Sequence, residues 1–309
     1  MTITIKPMGG LGNQLFQYGL GKALARMHSV PLRVDLSHFG VGGLRGYELD
    51  SFDSTIEVSG IRSTERLVVK AVSALELLRP VALRKEHPLF LGVARETEGV
   101  FNPRFLSLPQ RTTLRGYFQS WRYLDSVAEE LRSELRAINR PTPWFLDTRQ
   151  RLQDAGAFTA LHVRLGDYLA DPNFGHLTET YFSDALDETW RSNEGLPLVV
   201  FSDEIERAKT LSFLRRLSSR QVIFIDAPAE SRPLESVVLM SLSDSLVMSN
   251  STFSWWGAWL GDRPGRKVVA PTPWLLERPV DEENLFLDSW IRLPTAKSQA
   301  PPTPQTLEG

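Results

Sequence analysis

A chain of 309 residues, 42% hydrophobic and 23% charged, holds enough material for two packed cores, since single cores stop growing near ~250 residues. This ordinary composition excludes disordered, collagenous and coiled-coil classes for the body of the chain. A formal net charge of −2 gives no general attraction to nucleic acid or anionic lipid, so any anion site must be local. There is no cysteine, which excludes disulfides and thiolate zinc sites. The start, MTITIKPMGG, has neither the basic head nor the apolar core of a signal peptide, and no stretch approaches the ~18 apolar residues of a membrane span. A cytoplasmic protein without an integral membrane span is expected, with peripheral attachment through a glycolipid acceptor as a variant of that reading.

In chain order, Ile3–Pro7 reads as a strand. A glycine loop follows, and then a helix carrying apolar residues at Leu15, Phe16, Leu20, Ala23, Leu24 and Met27. Pro31–Leu36 completes a β-loop-α-β unit. From Phe39 to about Leu108 the pattern is irregular, with helical stretches around Glu65–Leu78. Thr113–Phe118 reads as a strand and Ser126–Ala137 as a helix. Arg140-Pro141-Thr142-Pro143 then interrupts all regular structure, and a domain boundary is expected there.

Beyond it, strands at Phe158–Val163, Leu198–Phe201, Val222–Ile225, Ser245–Met248 and Lys267–Ala270 alternate with helices at Thr180–Arg191, Ile205–Leu217, Leu234–Leu242 and Ser254–Leu260. Apolar strands alternating with helices imply a doubly wound parallel sheet. The expected units are an N-terminal domain over 1–140, a C-terminal nucleotide-sugar-binding domain over 141–293, and a flexible tail over 294–309, where Pro, Thr and Gln dominate.

Open α/β sheets bind ligands beyond the carboxyl ends of their strands. In the second half those positions hold Arg164, Gly166, Asp167 and Tyr168, then Ser202 and Asp203, then Asp226, then Ser249, Asn250, Ser251 and Thr252. The Ser, Asp and Asn residues equally suit helix capping, but a strand-end arginine has no capping role. Its five donors fit a diphosphate, and the helix entered through Ser251 and Thr252 adds free N–H groups and partial positive charge. No Asp-x-Asp pattern occurs and the five histidines are scattered, so no metal cofactor is expected. The loop Gly9–Gln14, GGLGNQ, resembles a phosphate cradle whose Gly10, Leu11 and Gly12 offer backbone N–H groups. It lacks the Lys of a nucleoside-triphosphate loop, and Leu15 replaces the third glycine of the dinucleotide fingerprint. A turn that merely starts a helix is the plainer reading. The amides of Asn13 and Gln14 favour contact with sugar hydroxyls.

GGLGNQLFQY at Gly9–Tyr18, GYFQSWRY at Gly116–Tyr123, HVRLGDY at His162–Tyr168 and SNSTFSWWGAWL at Ser249–Leu260 resemble, in the same order, signatures of the bacterial α-1,2-fucosyltransferases of glycosyltransferase family 11. The resemblance implies the α/β fold called GT-B, two Rossmann-like domains facing across a cleft. It implies inverting transfer of fucose from GDP-fucose to the 2-OH of a galactose-containing oligosaccharide, with no cofactor. Arg164 is then assigned to the donor diphosphate, His162 to the guanine side, Asn13 to the fucose or its phosphate, and Ser251, Phe253 and Ser254 to the nucleotide, with Thr252 and Asp203 beside them. Leu165 stands where many relatives carry a second arginine. Glu235 is the nearest substitute for a family carboxylate that falls at Ser236. Asp167 is expected to take the acceptor proton or, alternatively, to hold the Gly166 turn or pair with Arg164. Gln14, Gln119, Trp121 and Tyr168 form the expected acceptor set. Trp255, Trp256 and Trp259 are expected in the core.

Two readings of other classes stand beside the enzyme: a sugar-binding module that keeps the fold, told apart by GDP binding without turnover, and a dinucleotide-dependent oxidoreductase, which the missing third glycine opposes.

Overall fold

The computed structural model describes residues 1–36, 46–52, 56–59, 67, 71–72, 74–75, 78–96, 99–166, 177–190, 195–217, 222–275 and 280–295. The first half holds β1 (Ile3–Ile5), α1 (Leu11–His28), β2 (Leu32–Asp35), β3 (Ile56–Ser59), α2 (Val81–Glu86), β4 (Leu89–Phe90), β5 (Val93–Arg95) and β6 (Thr113–Arg115). Helices α3 (Ala128–Arg136) and α4 (Pro143–Ala155) follow. The second half holds β7 (Thr159–Val163), α5 (Glu179–Trp190), β8 (Leu198–Ser202), α6 (Ile205–Ala208), α7 (Ser212–Arg215), β9 (Val222–Ile225), α8 (Pro233–Ser241), β10 (Ser245–Val247), α9 (Thr252–Leu260), β11 (Lys267–Thr272), α10 (Glu282–Leu285) and β12 (Ile291–Pro294).

The second sheet has the order β12-β11-β10-β7-β8-β9 with every neighbouring pair parallel. Read from β9, this is the doubly wound dinucleotide-binding order, which reverses direction between β7 and β10 and opens a ligand crevice at their carboxyl ends. The first sheet, β3-β2-β1-β6-β5-β4, is parallel except for the β4–β5 hairpin. Its own reversal lies between β1 and β6, so the glycine loop after β1 and the Gly116–Gln119 turn after β6 emerge side by side.

One continuous apolar core runs from Ile3, Phe16 and Leu114 of the first half to Leu239, Trp255 and Trp290 of the second. The tryptophans of α9 occupy its centre, as expected from sequence: Trp255 and Trp256 are fully buried, and Phe16 of α1 lies 4.4 Å and 5.0 Å from their rings. Such aromatic pairs add ~0.5–1.5 kcal/mol each beyond area burial. At the far end of α9, the Arg132 guanidinium lies 4.4 Å over the Trp259 ring and Arg136 Nη2 donates to Leu260 O at 2.7 Å.

Several expectations change. The stretch Arg140–Thr142 separates α3 from α4, as expected, but Pro143 itself starts α4. Pro143 takes the first helical position, where a missing N–H costs nothing, and Thr142 Oγ1 accepts from Phe145 N at 3.2 Å. Residues 205–217 do not form one helix. Thr210 Oγ1 donates to Arg207 O at 2.7 Å and ends α6, while Glu179 accepts from Phe213 N at 2.9 Å and starts α7. The segment expected to be irregular contributes three strands of the first sheet, and β12 adds a strand that the sequence does not announce. Of the helix expected around Glu65–Leu78, residues 67, 71–72 and 74–75 are described and are helical. Leu78 lies in a turn, and the other residues of that stretch, with the tail after 295, lie outside the described residues. No helix among the described residues is long and apolar enough to cross a membrane.

Candidate active site

The crevice of the second sheet is built by a hydrogen bond across its reversal point. His162, on β7, brings Nδ1 to 2.6 Å from Ser249 Oγ, just beyond β10. Phe253 of α9 covers the imidazole with ring centroids 5.6 Å apart. Burial, and next the Arg164 guanidinium, push the His162 pKa down to about 3, with Asp203 opposing. The ring is therefore neutral at physiological pH, a polar wall rather than a charge.

Arg164 follows the end of β7 and is only 14% exposed, its Nε lying 3.2 Å from Asp203 Oδ2. Asp203, after β8, also accepts from Leu165 N at 2.9 Å and Gly166 N at 3.0 Å. One carboxylate thus caps the turn and fixes the arginine that the turn carries. The sequence-based expectation puts Asp203 on the donor; its oxygens are instead engaged by the protein. The turn also needs Gly166, because a Cβ there would come within 2.5 Å of Asp203 Oδ2.

The entrance of α9 is over-determined. Ser251 caps it, its Oγ accepting from Phe253 N at 3.3 Å, and Ser254 Oγ donates to Ser249 O and Ser251 O at 3.1 Å each. Ser251 and Ser254 are buried and shape the turn, whereas Thr252 and Phe253 are half-exposed. Against this entrance packs the start of α1. A Cβ on Gly12 would lie 2.6 Å from Thr252 Oγ1 and 2.7 Å from the Thr252 carbonyl carbon. Trp256 Nε1 donates to Gly12 O at 2.8 Å. Two helix amino ends therefore converge at one point, and both carry partial positive charge.

Around that point the glycine loop divides its labour. Gly9 sits at φ +75° with Asn13 folded against it, and Gly10 is the residue from which α1 starts. Leu11 is in the core. Asn13 Oδ1 accepts from Gln119 Nε2 at 2.8 Å, so the amide expected on the donor and the amide expected on the acceptor meet at the reversal point of the first sheet.

Two sequence-based placements change. Gln14 is fully buried, its Nε2 donating to Gly9 O and Gly46 O at 2.9 Å and 2.8 Å while Oε1 accepts from Glu48 N at 3.0 Å. It anchors residues 46–48 and faces no acceptor. Glu235 is also fully buried, accepting from Thr142 N at 2.6 Å, Thr142 Oγ1 at 2.9 Å and Arg232 N at 3.1 Å. It ties α8 to the start of α4 and has no oxygen left for guanine. Trp121 is half-buried with the Arg122 guanidinium 4.8 Å over its ring. Its neighbour Ser120 donates to Asn284 O at 2.7 Å, latching this motif to the second half. Asp167 and Tyr168 lie outside the described residues.

Sequence reasoning missed Glu96, which accepts from Tyr117 N at 2.7 Å and Phe118 N at 3.0 Å and so bends the turn that presents Gln119. Its partner is distant in sequence, and only its isolated position after a strand points to it. Among the described residues no group of three His, Asp or Glu is arranged to hold a metal. The arrangement suits a doubly charged, phosphate-like ligand: one fixed guanidinium, two helix amino ends and a neutral imidazole around a crevice between two sheets.

Known proteins resemble this chain in sequence and in fold. The family model described as Glycosyl transferase family 11 matches residues 100–294. The chain is 28% identical over 297 residues to an alpha-1,2-colitosyltransferase of Escherichia coli, covering 92% of this chain and 96% of that one. It is 25% identical over 269 residues to galactoside alpha-(1,2)-fucosyltransferase 1 of Leontocebus fuscicollis, covering 84% and 65%. The crystal structure of fucosyltransferase NodZ from Bradyrhizobium overlays with a TM-score of 0.50 at 11% identity, over 83% of this chain and 91% of that chain. That likeness is one of fold, the GT-B pairing of two parallel-sheet domains. With more than half of its length matched by the family model, the chain belongs to glycosyltransferase family 11.

Proposed function

We propose that this glycosyltransferase moves L-fucose from GDP-β-L-fucose to the 2-OH of a β-galactoside with inversion at the anomeric carbon and without a metal. The observation that carries the reading is Arg164, held by Asp203 directly after β7, the strand that neighbours β10 at the reversal point of the second sheet. The bond from the anomeric carbon to the phosphate oxygen breaks as GDP leaves, and the acceptor oxygen forms the new glycosidic bond from the opposite face. Charge then accumulates on the β-phosphate. Stabilisation of such a leaving group by preorganised donors usually contributes more to catalysis than any other single effect. Arg164 and the helix ends supply it, His162 lines the pocket as a neutral group, and the Asn13–Gln119 amide pair stands where donor sugar and acceptor meet. Asp167, three residues after Arg164, is the proposed acceptor of the hydroxyl proton.

A second donor is favoured by one observation, the relative named an alpha-1,2-colitosyltransferase. Colitose is fucose without its 3-hydroxyl, so both donors present the same diphosphate and the same leaving group to Arg164. The test is incubation of the purified protein with GDP-fucose or GDP-colitose and lactose, with and without EDTA, followed by linkage analysis. An α-1,2-linked fucosyl product that survives EDTA supports the proposal. Transfer of colitose alone replaces the donor, GDP binding without turnover of either donor makes the protein a binding module, and loss of transfer in EDTA removes metal independence.

A further inference from the structure

Arg95 and Arg115 are register partners at the ends of the adjacent parallel strands β5 and β6. They therefore stand side by side on one face of the first sheet. The row continues through Lys6, whose Nζ lies 3.7 Å from Asp35 Oδ2, with both of these groups buried. Arg95, Arg115 and Lys6 thus share one row across β5, β6 and β1 with the buried Asp35 of β2, and Lys6 lies against that carboxylate. Among the described residues neither the Arg95 nor the Arg115 guanidinium has an ion pair or hydrogen bond, and Arg95 Nη1 is buried without an acceptor. Glu96, the next residue, turns to the Tyr117 and Phe118 amides instead. Burial first, and Arg95 second, pull the Arg115 pKa below its usual value, with Asp35 opposing.

A half-buried pair of guanidinium groups in register is destabilising unless an anion joins them. The row also stands at the carboxyl end of the strands, where α/β sheets receive ligands, and Arg115 directly precedes the Gly116 turn that carries Gln119 to Asn13. The donor diphosphate is already assigned to Arg164 in the other half. We infer that Arg95 and Arg115 form an oxyanion site on the acceptor side, and that the natural acceptor bears a carboxylate or phosphate that the pair grips. This rests on the transfer reaction proposed above and names the class of acceptor for it. Two planar forks suit such a group better than two point charges.

The test compares lactose, lactobionate and lactose 1-phosphate as acceptors at saturating GDP-fucose, with inorganic phosphate titrated calorimetrically into GDP-loaded protein as a separate arm. The charged acceptors are expected to show a KM at least about tenfold below that of lactose. Arg95→Gln and Arg115→Gln should each erode this advantage and the double variant abolish it, leaving the KM for lactose unchanged. GDP affinity and melting temperature, measured on the same preparations, establish that the variants are folded. Phosphate should bind the native protein and not the double variant. Equal KM values for charged and neutral acceptors overturn the acceptor assignment, even where free phosphate binds. Phosphate binding retained in the double variant overturns the site itself. Absence of transfer from GDP-fucose to any of the three acceptors overturns the function reading instead, and the phosphate arm then decides the site alone.

Discussion

Trp256 Nε1 donates to the carbonyl oxygen of Gly12 over 2.8 Å, and this bond joins the glycine loop of the first sheet to the helix that follows β10 at the crevice of the second. A buried indole needs such a partner. The bond lies where a Cβ on residue 12 would press on the Thr252 backbone, so Gly12 is required for close approach between helices.

Gly12→Ala is accordingly predicted to cost ~1–3 kcal/mol through overpacking, read as a lowered midpoint in urea, and to weaken GDP binding. Thr252→Ala, which removes the Oγ1 that would lie 2.6 Å away, should not rescue it, because the Thr252 carbonyl carbon at 2.7 Å remains. Full rescue by that second change would show that the side chain alone is in the way.

Asp203 positions Arg164 and caps its turn with the same two oxygens. Asp203→Ala leaves two amides without their acceptor and removes an ion pair from Arg164, so GDP affinity should fall by about tenfold or more, while Asp203→Asn keeps one acceptor and loses less. Isothermal titration with GDP reads both. Unchanged affinity in Asp203→Ala would mean that Arg164 is held by other groups.

The depressed pKa of His162 has a sign that can be checked. The folded state keeps the ring neutral down to about 3, whereas the unfolded chain protonates it near ~6.5. The stabilisation from the neutral ring is therefore fully present above ~6.5 and is lost as pH falls below that value. The slope from this one group approaches ~1.4 kcal/mol per pH unit. Between pH 6 and 5, His162→Gln should show a flatter dependence of unfolding free energy on pH than the native protein. Identical slopes would place the ring in a more solvated setting.

Glu235 offers a test of the reassigned carboxylate. Glu235→Ala removes the acceptor of two bonds from Thr142 and of one from Arg232 N at the start of α8, and each buried donor left unsatisfied costs ~1–3 kcal/mol. The variant should unfold earlier, yet the folded fraction should keep the native preference for GDP over ADP. A changed base preference would return Glu235 to the guanine pocket.

How much of the fold is legible in the chain depends on range. The second sheet is legible because each strand and helix carries its own period, and Arg164 because a cation directly after an apolar strand has few structural uses. The roles of Asp203, Glu96 and Gln14 are hidden because each is defined by backbone groups far away in sequence. Glu235 misleads for the same reason: its value as an acceptor depends on Thr142, 93 residues earlier. Strands β3, β4 and β5 have two to four residues each, too few to display an alternation. Pro143 looks like a breaker because its neighbour Pro141 masks the capping threonine between them.

The most direct measurement of the central claim is single-turnover fucosyl transfer from saturating GDP-fucose to a β-galactoside by the native protein and by Arg164→Lys. If Arg164 stabilises the departing diphosphate through its fork, the native protein forms product and the lysine variant, still charged, slows by about a hundredfold or more. A native-like rate in Arg164→Lys would contradict the assignment.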